Sequence, residues 1–126
     1  MKLIGTLSSS EELSQEPGWF FLTFAPDISY YYNWFYVKTG HKPWKQCLNG
    51  PHVTFIFGKH ENRIVLSREV GSLLGAKVIV HYYPEIRTNG RAFWMPVYSP
   101  TLLYIRDRLG LGRVRNQLHL TLGNYK

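Results

Sequence analysis

The spacing of apolar residues along the chain changes several times between a period of two and a period near 3.6, the periods of strands and helices. Apolar, β-branched and aromatic runs predict strands at residues 19 to 25, 52 to 58, 64 to 66, 76 to 83, 91 to 98 and 117 to 124. Helical spacing predicts one helix over residues 28 to 39 and a second that begins at Ser99-Pro100 and is stopped by Gly110. Residues 67 to 75 fit either a short helix or an irregular segment.

Capping residues support both helices. Asp27 is expected to cap the first helix and Gly40 to end it. Ser99 is a favourable N-cap for the second helix, and Pro100 suits its first turn. The residues around the serine run 8 to 10 are expected to be disordered.

The order of elements occurs twice: a strand, a helix, a glycine stop, a loop, and a strand that carries His-x-Thr. Thr88-Asn89-Gly90 also predicts a hairpin between the strands at 76 to 83 and 91 to 98. A duplicated unit predicts an α+β fold of two pseudo-symmetric lobes, about residues 19–66 and 76–126, within one domain. Antiparallel strands would line a central cleft, and helices would cover the outside.

Composition narrows the class of protein. A length of 126 residues suits one domain. No apolar run is long enough to span a bilayer and no signal-peptide pattern opens the chain, which predicts a soluble, cytoplasmic protein without a membrane partner. Cys47 is the only cysteine, so it is expected to be a buried, inert thiol rather than part of a disulfide or a thiolate-rich metal site. The net charge of +7 suits an anionic partner such as a nucleotide or RNA, and no obligatory protein partner is predicted.

Two short motifs carry the candidate chemistry. Alternate residues of a strand share a face, so His52 and Thr54 point one way while the intervening apolar residues point the other. The same rule places His119, Thr121 and Gly123 on one face, opposite a core-facing row of leucines. If the two halves pack around a pseudo-twofold axis, both His-Thr pairs meet in one cleft.

Such a constellation suits a phosphodiester. One imidazole can accept a proton from the attacking hydroxyl while the other donates one to the leaving oxygen, and threonine hydroxyls can hold the non-bridging oxygens. We therefore predict that His52, His119, Thr54 and Thr121 are catalytic. No closely spaced His, Cys or carboxylate set accompanies the two histidines, so neither a metal ion nor another cofactor is expected. The three remaining histidines are interpreted as ordinary: His41, His60 and His81.

The sequences His52-Val53-Thr54-Phe55 and His119-Leu120-Thr121-Leu122 resemble the paired motifs of the two-histidine (2H) phosphoesterases. The resemblance implies a phosphoric diester hydrolase that needs no metal and acts on cyclic phosphates, RNA ends, 2′,5′-linked oligonucleotides or cyclic oligonucleotides. The small size and the segment Gly50-Pro51-His52-Val53-Thr54 also resemble viral (phage) members that degrade the cyclic nucleotide signals of bacterial immunity, the anti-CBASS enzymes. Such a protein would act in the host cytoplasm.

Substrate contacts are assigned from residue type and position. Phe20, Trp44 and Tyr125 are the candidates for stacking on bases, and Arg91 is the candidate for a substrate phosphate. Lys38, Lys59 and Arg115 are further candidates for flanking phosphates. The alternative function is a module that binds or sequesters RNA or a nucleotide and has the same fold but no turnover.

Overall fold

The computed structural model describes residues 1–9, 19–48, 50–57, 72–112 and 117–125. Seven strands lie in these ranges: β1 (Lys2–Ser9), β2 (Phe20–Thr23), β3 (His52–Ile56), β4 (Lys77–Tyr82), β5 (Arg87–Thr88), β6 (Ala92–Tyr98) and β7 (His119–Asn124). The two helices of this part of the chain are α1 (Asp27–Lys38) and α2 (Pro100–Arg108). Neither helix is long and apolar enough to cross a membrane.

Six of the strands form a closed antiparallel barrel. Their order is β4-β1-β2-β3-β7-β6, and a further pairing between β4 and β6 closes the ring, while β5 extends from β6. The predicted α+β fold of two lobes with helices outside is therefore wrong. Hydrogen-bonded pairing links every neighbouring strand of the ring, whereas the prediction divided the strands between two separate lobes.

Strand β1 supplies the link that the sequence pattern did not reveal. It pairs with β2 on one side and with β4 on the other, although its last residues were expected to be disordered. Its burial alternates, with Gly5, Leu7 and Ser9 facing the interior, but a glycine and a serine at inward positions weaken the hydropathy signal. Gly5 is needed there because a Cβ would lie 2.8 Å from the ring of Phe24.

The helix boundaries follow the sequence more closely. The side chain of Ser99 caps α2, since its hydroxyl accepts the N–H of Leu102 at 3.3 Å, as predicted. Gly40 follows α1 with φ +92°, in agreement with its assignment as a helix stop. Asp27 is not a cap: it lies in the first turn of α1, Pro26 occupies the N-cap position, and no side chain caps that end.

The turn at Thr88-Asn89-Gly90 forms, but it joins different strands from those predicted. It connects β5 to β6, and the Asn89 side-chain oxygen accepts the N–H groups of Arg91 and Ala92, each at 2.9 Å. Strand β4 instead pairs with β1 over five residue pairs and touches β6 only at its end. The predicted strand at 64 to 66 and most of the segment 67 to 75 lie outside the described residues.

One hydrophobic core occupies one face of the strands. Fully buried members include Leu22, Val53, Phe55, Leu120 and Leu122, and both helices add apolar side chains to the same cluster. The other face of β3 and β7 is half-buried and carries hydroxyl and imidazole groups. The fold thereby separates a packed core from a polar sheet face that holds both motifs.

Candidate active site

The two His-x-Thr motifs lie on neighbouring strands. Strands β3 and β7 pair antiparallel with His52 directly opposite Thr121. Cross-strand partners share a face of the sheet, and diagonal neighbours two residues further along are typically about 7–8 Å apart. His119 is such a diagonal neighbour of His52, so the structure brings the two imidazoles and their threonines together.

The alternation predicted for both motifs is confirmed in the burial of the strands. His52, Thr54, His119 and Thr121 are half-buried, whereas the residues between them are buried in the core. The pattern ends at Gly123, which is buried beneath the indole of Trp44.

Both imidazoles are anchored in the same way. The Nδ1 atom of His52 lies 2.8 Å from the carbonyl oxygen of Gly50, and that of His119 lies 3.3 Å from the carbonyl oxygen of Gln117. A carbonyl oxygen only accepts, so each Nδ1 carries the proton and donates it. In a neutral ring this leaves Nε2 as the basic nitrogen. Each histidine is thus held by the residue two positions before it, with Nε2 available for proton transfer.

The surroundings of His52 favour its neutral form. Burial is the main cause that lowers its pKa below the usual value of about 6.5, and the positive charge of His119 adds to the effect. The hydrogen bond to Gly50 acts in the opposite direction. Phe21 provides part of the burial, because its ring is only 3 % exposed and packs edge-on at 6.1 Å from the imidazole centroid.

A cleft of about 410 Å³ opens beside the second motif. Its walls include Arg87, Asn89, Trp94, Pro96, His119 and Thr121. The rings of Trp94 and His119 are 5.9 Å apart at an interplanar angle of 55°. A cleft of this size, with one aromatic wall and one cationic side chain, can hold a nucleotide.

No match emerged when the chain was compared with protein-family models, curated proteins and solved structures. The resemblance to two-histidine phosphoesterases therefore stays an expectation that rests on the two motifs.

The aromatic residues assigned to base stacking lie elsewhere. Phe20 is 4 % exposed and belongs to the hydrophobic core; its neighbour Phe21 is the one beside His52. Trp44 is also in the core, stacked on Phe93 at 5.1 Å, and its indole N–H donates to the hydroxyl of Ser29 at 3.1 Å. Both side chains are committed to packing.

The remaining assigned contacts are also away from the cleft walls. Tyr125 is half-buried against the edge of Phe93, with Lys42 over its other side. Arg91 is exposed beyond the hairpin turn, and Arg87 occupies the cleft position instead. Lys38 lies on α1 over the ring of Trp34, while Lys59 and Arg115 are outside the described residues.

The other histidines in the described part of the chain do not join the motifs. His41 is exposed and stacked on Tyr36 at 4.0 Å, and His81 lies on β4 opposite Tyr98 and Lys2. His60 lies in the undescribed range 58–71. Within the described ranges no three His, Cys, Asp or Glu side chains are grouped closely enough to hold a metal ion. Cys47 is half-buried and accepts a hydrogen bond from Asn124 at 3.5 Å, and burial raises its thiol pKa.

Proposed function

We propose that this chain is a phosphodiesterase that cleaves a phosphodiester of a nucleotide or RNA with His52 and His119 as its general base and acid, without a metal ion. The observation that carries the proposal is the pairing of the two motifs: the histidines share one sheet face, and both are anchored through Nδ1. Two imidazoles with free Nε2 atoms on one surface can act together: one accepts a proton from the attacking group, and the other donates a proton to the leaving group.

The two histidines differ in ways that divide the work. Burial, and to a smaller extent the neighbouring charge, lower the pKa of His52, which favours the neutral state that a general base requires. We therefore assign the base to His52 and the acid to His119, which faces the open cleft.

The reaction then follows from these positions. His52 Nε2 takes the proton of a ribose 2′-hydroxyl or of a water molecule as that oxygen bonds to phosphorus. The bond from phosphorus to the leaving oxygen breaks, and His119 Nε2 supplies the proton which that oxygen needs. Thr54 and Thr121, which lie on the same face, would donate hydrogen bonds to the non-bridging oxygens. Attack by a 2′-hydroxyl would leave a cyclic phosphate, and attack by water a monoester.

The resemblance to two-histidine phosphoesterases suggests the substrates to try first, including the cyclic oligonucleotides of bacterial antiphage immunity. On that proposal the protein works in the cytoplasm, that of the host if it is viral. The net charge of +7 supports an anionic substrate of this kind.

Turnover in EDTA tests the proposal. The panel comprises cyclic dinucleotides, cyclic trinucleotides, 2′,3′-cyclic mononucleotides and 2′,5′-oligoadenylate, with wild type, His52→Ala and His119→Ala. His41→Ala is a matched control, because it removes an exposed imidazole outside the motifs. We expect a loss of at least about a hundredfold in kcat in each motif variant and none in the control. If no substrate is cleaved, or cleavage survives both motif substitutions, the enzyme proposal is wrong, and retained nucleotide affinity would favour the binding module.

A further inference from the structure

The polar sheet face extends far beyond the two motifs. Successive cross-strand partners form one row over all seven described strands: Lys77, Thr6, Thr23, His52, Thr121, Trp94 and Arg87. His52 is the middle member of this row, and a cationic side chain stands at each end. Since cross-strand partners share a face, all seven side chains lie on the same face of the curved sheet.

His52 divides the row into two arms. The arm toward β4, formed by Thr23, Thr6 and Lys77, carries hydroxyls and an ammonium group. The Nζ atom of Lys77 donates to the hydroxyl of Thr6 at 2.7 Å, and the hydroxyl of Thr23 donates to the Thr6 carbonyl at 3.4 Å. The Lys77 ammonium is therefore held over β1. That strand is two strand spacings from His52, about 10 Å.

The opposite arm forms the cleft. Trp94 is the partner of Thr121 and presents its half-exposed ring beside His119. Arg87 is the partner of Trp94 and stands at the end of the row. Its contact with Glu85, at 3.5 Å, is solvent-exposed and therefore weak, so a phosphate can replace it.

We propose that the two arms are substrate subsites and that the natural substrate is an oligonucleotide with at least two phosphates. The inference rests on the proposed function for the position of the scissile phosphate, at the two histidines. The nucleoside on the cleft side stacks its base on Trp94, and Arg87, three strands from His52 at the end of this arm, can pair with a further phosphate on that side. Lys77 and Thr6 are too far from the histidines to touch the scissile phosphate, so they bind the next phosphate along the strand. A 2′,3′-cyclic mononucleotide would leave this arm empty.

Measurements of binding affinity test this inference independently of turnover. In a His52→Ala background, where we expect cleavage to be at least about a hundredfold slower, the affinities of 5′-phosphorylated diadenylate and adenosine 5′-monophosphate are measured with and without Lys77→Ala. We expect Lys77→Ala to weaken diadenylate binding about three- to fivefold and to reduce its logarithmic salt slope by about 0.7, with monophosphate binding unchanged. Lys38→Ala is the matched control: it removes the same charge from the exposed side of α1 and should change neither affinity.

A second pair of variants tests the cleft arm. Trp94→Ala should weaken both ligands about tenfold or more, and Trp94→Phe should restore most of that loss because a phenyl ring still stacks. The inference is overturned if diadenylate binds no more tightly than the monophosphate, or if Lys77→Ala weakens both ligands equally. Absence of turnover in the wild type would contradict the proposed function alone, since these affinities do not depend on cleavage.

Discussion

Replacing Gly50 by alanine should weaken catalysis through the backbone alone. Gly50 has φ +68°, and no atom lies within 4 Å of an added Cβ, so the substitution introduces no clash. An alanine in this left-handed conformation costs about 1–2 kcal/mol. The unfolded chain of the alanine variant is less flexible than that of the wild type, which offsets about 0.4–1 kcal/mol of this cost. We expect a net loss of about 1 kcal/mol in the free energy of unfolding.

The catalytic effect arises because the same residue holds His52. If the alanine relaxes toward negative φ, the Gly50 carbonyl turns away from the imidazole and the 2.8 Å hydrogen bond is lost. Such a bond contributes about 0.5–1.5 kcal/mol, which corresponds to a fall in kcat/KM of up to about tenfold. That bond raises the pKa of His52, so its loss should also move the acidic limb of the kcat/KM profile to lower pH. Gly50→Asn should retain more activity, because asparagine tolerates the left-handed region.

Gly40→Ala is the matched control. Gly40 also has positive φ, +92°, with open space around its Cβ position, and it follows α1 outside the motif strands. Urea unfolding should show a similar loss of stability in both variants, while kcat/KM and its pH profile should change only in Gly50→Ala. Equal activities and equal pH profiles in the two variants would refute a positioning role for the Gly50 carbonyl.

Four further predictions concern protonation and packing. Because the pKa of His52 is lowered, the acidic limb of the kcat/KM profile should lie below pH 6.5. Phe21→Leu uncovers the imidazole and should move that limb to higher pH in a pH–rate profile. The unfolded chain binds a proton at His52 more readily than the folded chain does. The free energy of unfolding, measured by urea titration, should therefore fall as the pH drops below 6.5. The fall should be smaller in His52→Ala. Ser29→Ala removes the buried hydroxyl that joins α1 to β7 and should cost about 2 kcal/mol in urea unfolding, with the exposed Thr101→Ala as control. Arg106→Lys should cost a similar amount, since a lysine cannot hold the three backbone carbonyls that the buried guanidinium now contacts.

Most of the strands, though not β1, could be predicted from the sequence, but their partners could not. A period-two pattern depends on local alternation and found the core faces of β3 and β7 correctly. Pairing depends on contacts between distant segments, and the closure of the barrel rests on a few of them, such as His81 opposite Tyr98. The apparent duplication suggested two lobes because each half of the sequence was interpreted without β1, the strand that joins β2 to β4.

The position of the cleft could not be predicted from the local hydropathy pattern either. Strand β6 is apolar on both faces, so hydropathy cannot show that Trp94 faces outward; only its pairing with Thr121 does. The different surroundings of Phe20 and Phe21 could not be predicted for a similar reason. The register between β2 and β3 shifts between Phe20 and Phe21, which leaves the first in the core and the second beside the imidazole.

On the proposed function, the same difference in neighbours gives the two His-x-Thr motifs different roles. Each His-x-Thr sequence yields a histidine on the same face with the same Nδ1 anchor, so the motif alone specifies geometry but not proton affinity. The surroundings of the two rings come from other strands and differ: Phe21 covers His52, whereas His119 lies at an open cleft beside Trp94. An exchange of these surroundings should therefore exchange the acid and the base, even with both motifs left intact.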